Sequence, residues 1–350
     1  MRRAAKLLVV FILSLFFFVL GLEILKAGTS ALTTSWFKPV GGTSIRGSLG
    51  AGWLMACLVL SGSPVAAMAL GLHNSGSLDT RETFSMIIGS RLGAAFVVLL
   101  IGFLYDRRVR GARSGVYVGA LALFTTAVVY VPAFFLGILV LDQGWLEGVR
   151  FGPPQQIASI LDAVVKPVAR AVGGMFPENV KVLQSVLGIG LIAGAFKLFD
   201  GFLPVLDPTG GKLSKMATTI YRPWITFVFG MLVTCITLSV SVSLTLLVPL
   251  TVRGLVRREN LIPYILGANI TTFVDTLFAT LLLQQSTGFT VVLCAMSVVT
   301  ILSLPLVFWT YRPFERFVDA MAGAVTLDRT RLAFFVVAIF LIPLLLIWLR

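Results

Sequence analysis

Two stretches, 57-CLVLSGSP-64 and 235-CITLSVSV-242, decide how this chain folds. Each writes Cys-x-x-Leu-Ser-x-Ser inside a long apolar run, and the two lie 178 positions apart. Small hydroxyls with a glycine and a proline in mid-run suit a broken helix. Glycine relaxes the backbone, and proline removes a hydrogen-bond donor. Ser239-Val240-Ser241 is the weaker breaker, because valine tolerates a turn poorly. A shift of 178 lays 54–89 on 232–267 without a gap, with nine identities. Among them are Leu54 on Leu232, Cys57 on Cys235, Leu60 on Leu238, Ser61 on Ser239, Ser63 on Ser241, and Gly89 on Gly267. The first apolar run, 7–25, falls on 185–203 by the same shift. That coincidence predicts an internal repeat.

Composition sets the surroundings. Of 350 residues, 57% are hydrophobic and 12% charged, too little charge to solvate the surface of a soluble domain this long. The apolar runs are continuous rather than alternating, which argues against an outer-membrane barrel and predicts a polytopic α-helical membrane protein in a lipid bilayer. The net charge of +13 collects in short loops: Arg107, Arg108, Arg110 and Arg113, then Lys212, Lys215 and Arg222, then Arg253, Arg257 and Arg258. That is the positive-inside pattern, and no nucleic-acid motif accompanies it. Cys57, Cys235 and Cys294 lack metal or redox spacing and read as buried packing residues. The sole histidine, His73, reads as a polar residue at a helix end. The N-terminal run is long, with no convincing cleavage site after it, so a retained first transmembrane helix is expected.

Apolar stretches lie at about 7–25, 49–72, 84–104, 116–141, 183–203, 224–250, 261–283, 288–310 and 332–349. Treating 49–72 and 224–250 as re-entrant hairpins, with the N-terminus cytoplasmic, puts the basic loops at 107–113, 212–222 and 253–258 on the cytoplasmic side. Full spans at those places would scatter the loops. The expected fold is all-α, with two inverted-topology repeats, each with a re-entrant hairpin, plus an extra C-terminal transmembrane helix. Repeat one takes 1–141 and repeat two 183–310. An external connection, 142–182, joins them, with an interfacial helix at 155–172 from the spacing of Ile157, Leu161, Val164, Val165 and Val168. A cytoplasmic loop and the last helix take 311–350.

Broken backbone at membrane depth is tolerated where protein buries it or a watery cavity borders it, and half-helix ends there present dipoles to ions. Ser61, Ser63, Ser239 and Ser241 are therefore candidate site residues, against the simpler role of serine in helix packing. A second landmark follows each break at equal distance: Gly267-Ala268-Asn269-Ile270-Thr271-Thr272 with Asp275, and Gly89-Ser90-Arg91-Leu92-Gly93-Ala94. Asn269, Thr271 and Thr272 offer oxygens to a hard cation and donors to an oxyanion. Arg91 needs a partner, a cavity or an exit to the headgroups, since arginine at a helix centre costs about 2.5–3.5 kcal/mol on insertion scales. It is a candidate anion contact or the partner of Asp275.

These segments resemble the sodium/phosphate cotransporter family, the type II sodium-dependent phosphate symporters and their bacterial relatives. LGANITTF at 266–273, VPLTVRGLVRRENLIPYIL before it and the early FVLGLEILKAG carry the likeness. Leu60 and Leu238 stand where the family's Gln-Ser-Ser-Ser motifs have glutamine, and Arg91 stands where the first repeat would have asparagine. The resemblance implies a secondary active transporter in a bacterial cytoplasmic (inner) membrane. Its cargo would be a small anionic solute such as phosphate, with sodium as coupling ion near Ser239, Ser241, Thr271 and Thr272 and no organic cofactor. It leaves a homodimer open. The competing expectation is a relative that kept the fold and lost transport. No His-rich metal motif, nucleophile–histidine pair or phosphate loop points to an enzyme.

Overall fold

The computed structural model describes residues 44–108, 114–146, 181–202, 223–252, 256–282 and 286–349, with residue 149 and scattered positions in 9–24 and 167–177. The arginine loop beyond 108, most of the 142–182 connection and the 212–222 loop lie outside them, as does most of the first helix. The described chain is helical and has no strand. Five of its helical stretches are long and apolar enough to cross a membrane: Thr80–Arg107, Gly115–Asp142, Arg258–Leu281, Thr287–Phe308 and Arg329–Trp348. An all-α membrane protein follows.

The first motif ends helix α1 (Ile45–Val59) and begins α2 (Ser63–Asn74). Ser44 caps α1 by accepting from the Gly47 N–H at 3.0 Å. The helix stops at Leu60, which sits in the left-handed region with φ 58°. After α2, Asp79 and Glu82 form a reciprocal capping box that starts α3 (Thr80–Ala94). A single turn residue, Ala95, separates α3 from α4 (Phe96–Arg108). The Asp106 carboxylate then accepts from the Gly115 and Val116 N–H groups, both at 2.9 Å, and so caps α5 (Ser114–Asp142) from a neighbouring helix.

The second half follows the same plan. After α6 (Lys181–Phe202), α7 (Pro223–Thr237) stops at Leu238, again left-handed with φ 47°. Two short helices follow, α8 (Val240–Thr245) and α9 (Leu247–Val252). A 3-10 turn at Arg258–Asn260 leads into α10 (Leu261–Thr271) and, past Thr272, α11 (Phe273–Leu282). Helix α12 (Ser286–Phe308), α13 (Tyr311–Thr326) and α14 (Arg329–Trp348) complete the chain.

Glycines set the closest helix contacts. A Cβ on Gly52 would overlap the Met86 carbonyl, and one on Gly89 would overlap the Leu49 carbonyl. With Gly93 against Trp53 and Ala56, these contacts align α1 and α3 in parallel. In the second half Gly230 meets the Tyr264 carbonyl and Gly267 the Phe227 carbonyl, the same pairs 178 residues on. Contacts between the halves are reciprocal: α5 packs on α10 as α12 packs on α3, and α2 packs on α11 as α8 packs on α4.

Polar contacts mark the two ends of the bundle. At one end Arg81 pairs with Asp142 at 2.7 Å, and His73 contacts Thr287 Oγ1 at 3.2 Å. At the other, Tyr117 donates to Asp319 and lies under Arg258, while Tyr311 donates to the Glu259 carbonyl.

Two sequence expectations need correction. Residues 311–326, expected as loop, form α13, whose Tyr311, Phe314, Val318 and Ala322 recur at helical spacing and face inward. Cys235, expected to be buried like Cys57 and Cys294, is exposed, because it shares the outer face of α7 with Leu232 and Ile236.

Candidate functional site

Arg91 lies in the last turn of α3, beside the first break, and is 2% exposed. Its Nη2 donates to Asp275 Oδ1 at 3.3 Å and to Thr276 Oγ1, which itself donates to the same carboxylate oxygen at 2.7 Å. The guanidinium sits 5.2 Å from the centre of the Phe273 ring. Phe273, Asp275 and Thr276 all belong to the first turn of α11, where backbone N–H groups favour an acid. Arg91 and Asp275 are the only charged side chains buried among the described residues.

This pair is not saturated. Arg91 Nε and Nη1 and Asp275 Oδ2 are buried and have no hydrogen-bond partner among the described residues. A Cβ built on Gly62 would come within 3.4 Å of Arg91 Nη1 and 2.8 Å of the Ser90 carbonyl, so only glycine lets the break approach this closely. Gly62 is also the N-cap of α2 and supplies no side-chain cap, with Pro64 in the first turn. First-turn N–H groups have no acceptor within their own helix. Unused guanidinium donors and an uncapped helix N-terminus thus meet at Gly62, which Ser61 and Ser63 flank in the chain. Neither serine side chain makes a hydrogen bond among the described residues.

Behind the pair stands a polar network on α5 and α10. Tyr130 is fully buried and donates to the Asn269 carbonyl at 2.8 Å, while Asn269 Nδ2 donates to Thr126 Oγ1 at 3.2 Å. The Tyr130 and Phe273 rings lie 6.1 Å apart.

The second break is built differently. Ser239 caps α8 by accepting from the Val242 N–H at 3.3 Å, and Ser241 is half-buried without a side-chain hydrogen bond among the described residues. Thr271 donates to the Met231 carbonyl at 3.0 Å, and Thr272 Oγ1 is buried without a partner among the described residues. No hydrogen bond links any two of these four residues. The polar cluster at this break is instead Thr234, Ser243 and Tyr264, joined by hydroxyl bonds of 2.7 and 2.8 Å.

The structure therefore pairs Arg91 with Asp275 and brings Gly62, between Ser61 and Ser63, against Arg91, while Asn269 bonds Thr126 and Tyr130, and Ser239, Ser241, Thr271 and Thr272 have separate neighbours. Sequence inspection missed Gly62 as the point of close approach, as well as Thr276, Phe273, Thr126 and Tyr130. A tyrosine in the middle of an apolar span was the available signal for Tyr130. Comparison of the chain with protein-family models, curated proteins and solved structures finds no match.

Proposed function

We propose that this protein is a secondary active transporter that carries a small oxyanion, with inorganic phosphate as the first candidate, by alternating access. The observation that carries this is the buried Arg91, with two unused donors, at the uncapped start of α2. A buried arginine with spare N–H groups is expensive unless something accepts from them. Its fork matches phosphate geometry, and a helix N-terminus adds donors of the same sign. Burying an ion pair is weak evidence for stability, which favours a working role for this one.

Alternating access draws on the paired breaks. We read α1–α2 and α7–α9 as re-entrant hairpins entering from opposite faces, and the halves as inverted repeats. The repeated glycine contacts, the left-handed Leu60 and Leu238, and the ends marked by Arg81–Asp142 and Tyr117–Arg258 support this. The end carrying Arg107, Arg258, Arg312 and Arg316 is then cytoplasmic by the charge rule, and the bacterial inner membrane is the proposed location. Sodium is the coupling ion that the resemblance implies.

Uptake of labelled phosphate into proteoliposomes, with sodium, proton and no gradient, tests the proposal. Gradient-driven accumulation that Arg91→Ala abolishes is the expected result. Phosphate binding without uptake under any gradient would favour the second reading, a binding protein of the same fold, which Leu60 and Leu238 at the glutamine positions motivate.

A further inference from the structure

Arg91 cannot serve an anion and Asp275 equally at once. Asp275 Oδ1 already takes one guanidinium nitrogen and the Thr276 hydroxyl, while Oδ2 is buried with no donor to it among the described residues. A carboxylate with one empty oxygen, against an arginine with two unpartnered nitrogens, is a pair whose partners are both short of hydrogen bonds. Both bidentate edges of the guanidinium, Nε with Nη2 and Nη1 with Nη2, include the nitrogen that Asp275 holds, so an oxyanion on either edge meets that carboxylate in a buried site, where like charges repel strongly. A proton on Oδ2 removes that repulsion. The resulting Asp275 carboxylic acid is neutral, and the anion takes over as counter-charge to Arg91.

We propose that Asp275 is the coupling-proton site: it takes a proton from water at Oδ2 when a small oxyanion displaces it from Arg91, so that proton and anion bind together. The proposal rests on the anion site described above, and it replaces sodium by a proton as the ion that the pair carries. No bond other than O–H forms, and the charge of the buried site is conserved for a monovalent anion. Reciprocity then requires that protonation tighten anion binding by the factor by which anion binding tightens protonation.

Other titratable groups around the pair are committed. Tyr130, close enough to feel both charges, donates to the Asn269 carbonyl. On α2, His73 contacts the Leu78 carbonyl and Thr287, and on α10 Tyr264 bonds Ser243. On α12 Cys294 donates to the Gly137 carbonyl, and on α1 Cys57 donates to the Gly93 carbonyl. At the far end of α3, Arg81 holds Asp142 and Glu82 caps the helix. Asp275 is the only buried carboxylate among the described residues.

The test compares wild type, Asp275→Asn and Asp275→Glu, each checked for a single symmetric size-exclusion peak. Inorganic phosphate binding to the purified protein is measured from pH 5.5 to 8. Relative to Asp275→Asn, whose profile follows only the titration of phosphate itself, wild-type affinity should rise about tenfold per unit as pH falls, the slope of one linked proton. Asp275→Glu should keep that slope. In weak buffer, wild type should take up about one proton more per bound phosphate than Asp275→Asn. Superimposed wild-type and Asp275→Asn profiles, or no phosphate binding by either, would overturn the proposal. In proteoliposomes a pH gradient, acid outside, should drive uptake at equal sodium. Uptake that follows sodium and ignores pH overturns proton coupling while leaving transport intact. No uptake under any gradient removes the transport reading, and the binding profiles still decide the exchange at Asp275.

Discussion

Leu60 and Leu238 hold a backbone that disfavours leucine by about 1–2 kcal/mol each, because the left-handed region crowds Cβ against the next carbonyl. A β-branched residue suffers more there, while asparagine tolerates it. Leu60→Val and Leu238→Val should therefore lower the detergent melting temperature, whereas the matching asparagine variants should stay near wild type. Equal melting of the valine and asparagine variants would show that the left-handed turn is not what shapes the breaks. The Arg91–Asp275 pair gives a sharper expectation. Arg91→Ala or Asp275→Ala alone strands a buried charge and should cost about 3–5 kcal/mol. The double variant Arg91→Met with Asp275→Leu should melt within about 1 kcal/mol of wild type yet bind no phosphate, which thermal shift with and without phosphate can read. Both partners were legible in the sequence, since a charge in an apolar run announces itself. Their neighbours were not: Tyr130 and Thr126 reach Asn269 across 139 and 143 positions, a distance over which periodicity carries no information.

At the scale of elements, the two helix pairs α1–α3 and α7–α10 depend on backbone touching backbone. Small residues at such crossings are how membrane helices pack closely, since lipid tails give apolar side chains no reason to leave them. Gly89→Leu and Gly267→Leu should each push a helix pair apart and leave little monodisperse protein on size exclusion. Gly323, on α13, has no neighbour within 4 Å of an added Cβ. Gly323→Ala should accordingly stabilise by about 0.5–1 kcal/mol through helix propensity, read as a raised melting temperature. If all three variants behaved alike, close approach would not be the reason for the glycines. The sequence showed Gly89 and Gly267 as one repeated identity but passed over Gly52 and Gly230, just outside the aligned columns. It missed α13 as well, because a half-polar amphipathic stretch between two spans resembles a connecting loop. The helix shows itself once Tyr311, Phe314, Val318 and Ala322 are seen to face one way.

For the whole molecule, the question is which ends of the helices share a side of the membrane. If 49–72 were a single span, residues 44 and 77 would lie on opposite sides; if α1 and α2 form a re-entrant hairpin, they lie together. The same holds for 223 and 256 around the second break. Inversion of the halves adds a further requirement: the first two positions must label from the side opposite to the second two. In a background with Cys57, Cys235 and Cys294 replaced by serine or alanine, single cysteines at Ser44, Ser77, Pro223 and Val256 can be probed in intact cells and in inside-out vesicles. A membrane-impermeant maleimide should reach Ser44→Cys and Ser77→Cys only from outside, and Pro223→Cys and Val256→Cys only from the cytoplasmic side. Gln143→Cys should follow the first pair, because the Arg81–Asp142 bridge holds the end of α5 next to the start of α3. Labelling of Ser44→Cys and Ser77→Cys from opposite sides would turn the first break into a kink within a span. Arg91 would then have no hairpin tip beside it, and the anion site would lose its helix N-terminus together with its route to either face.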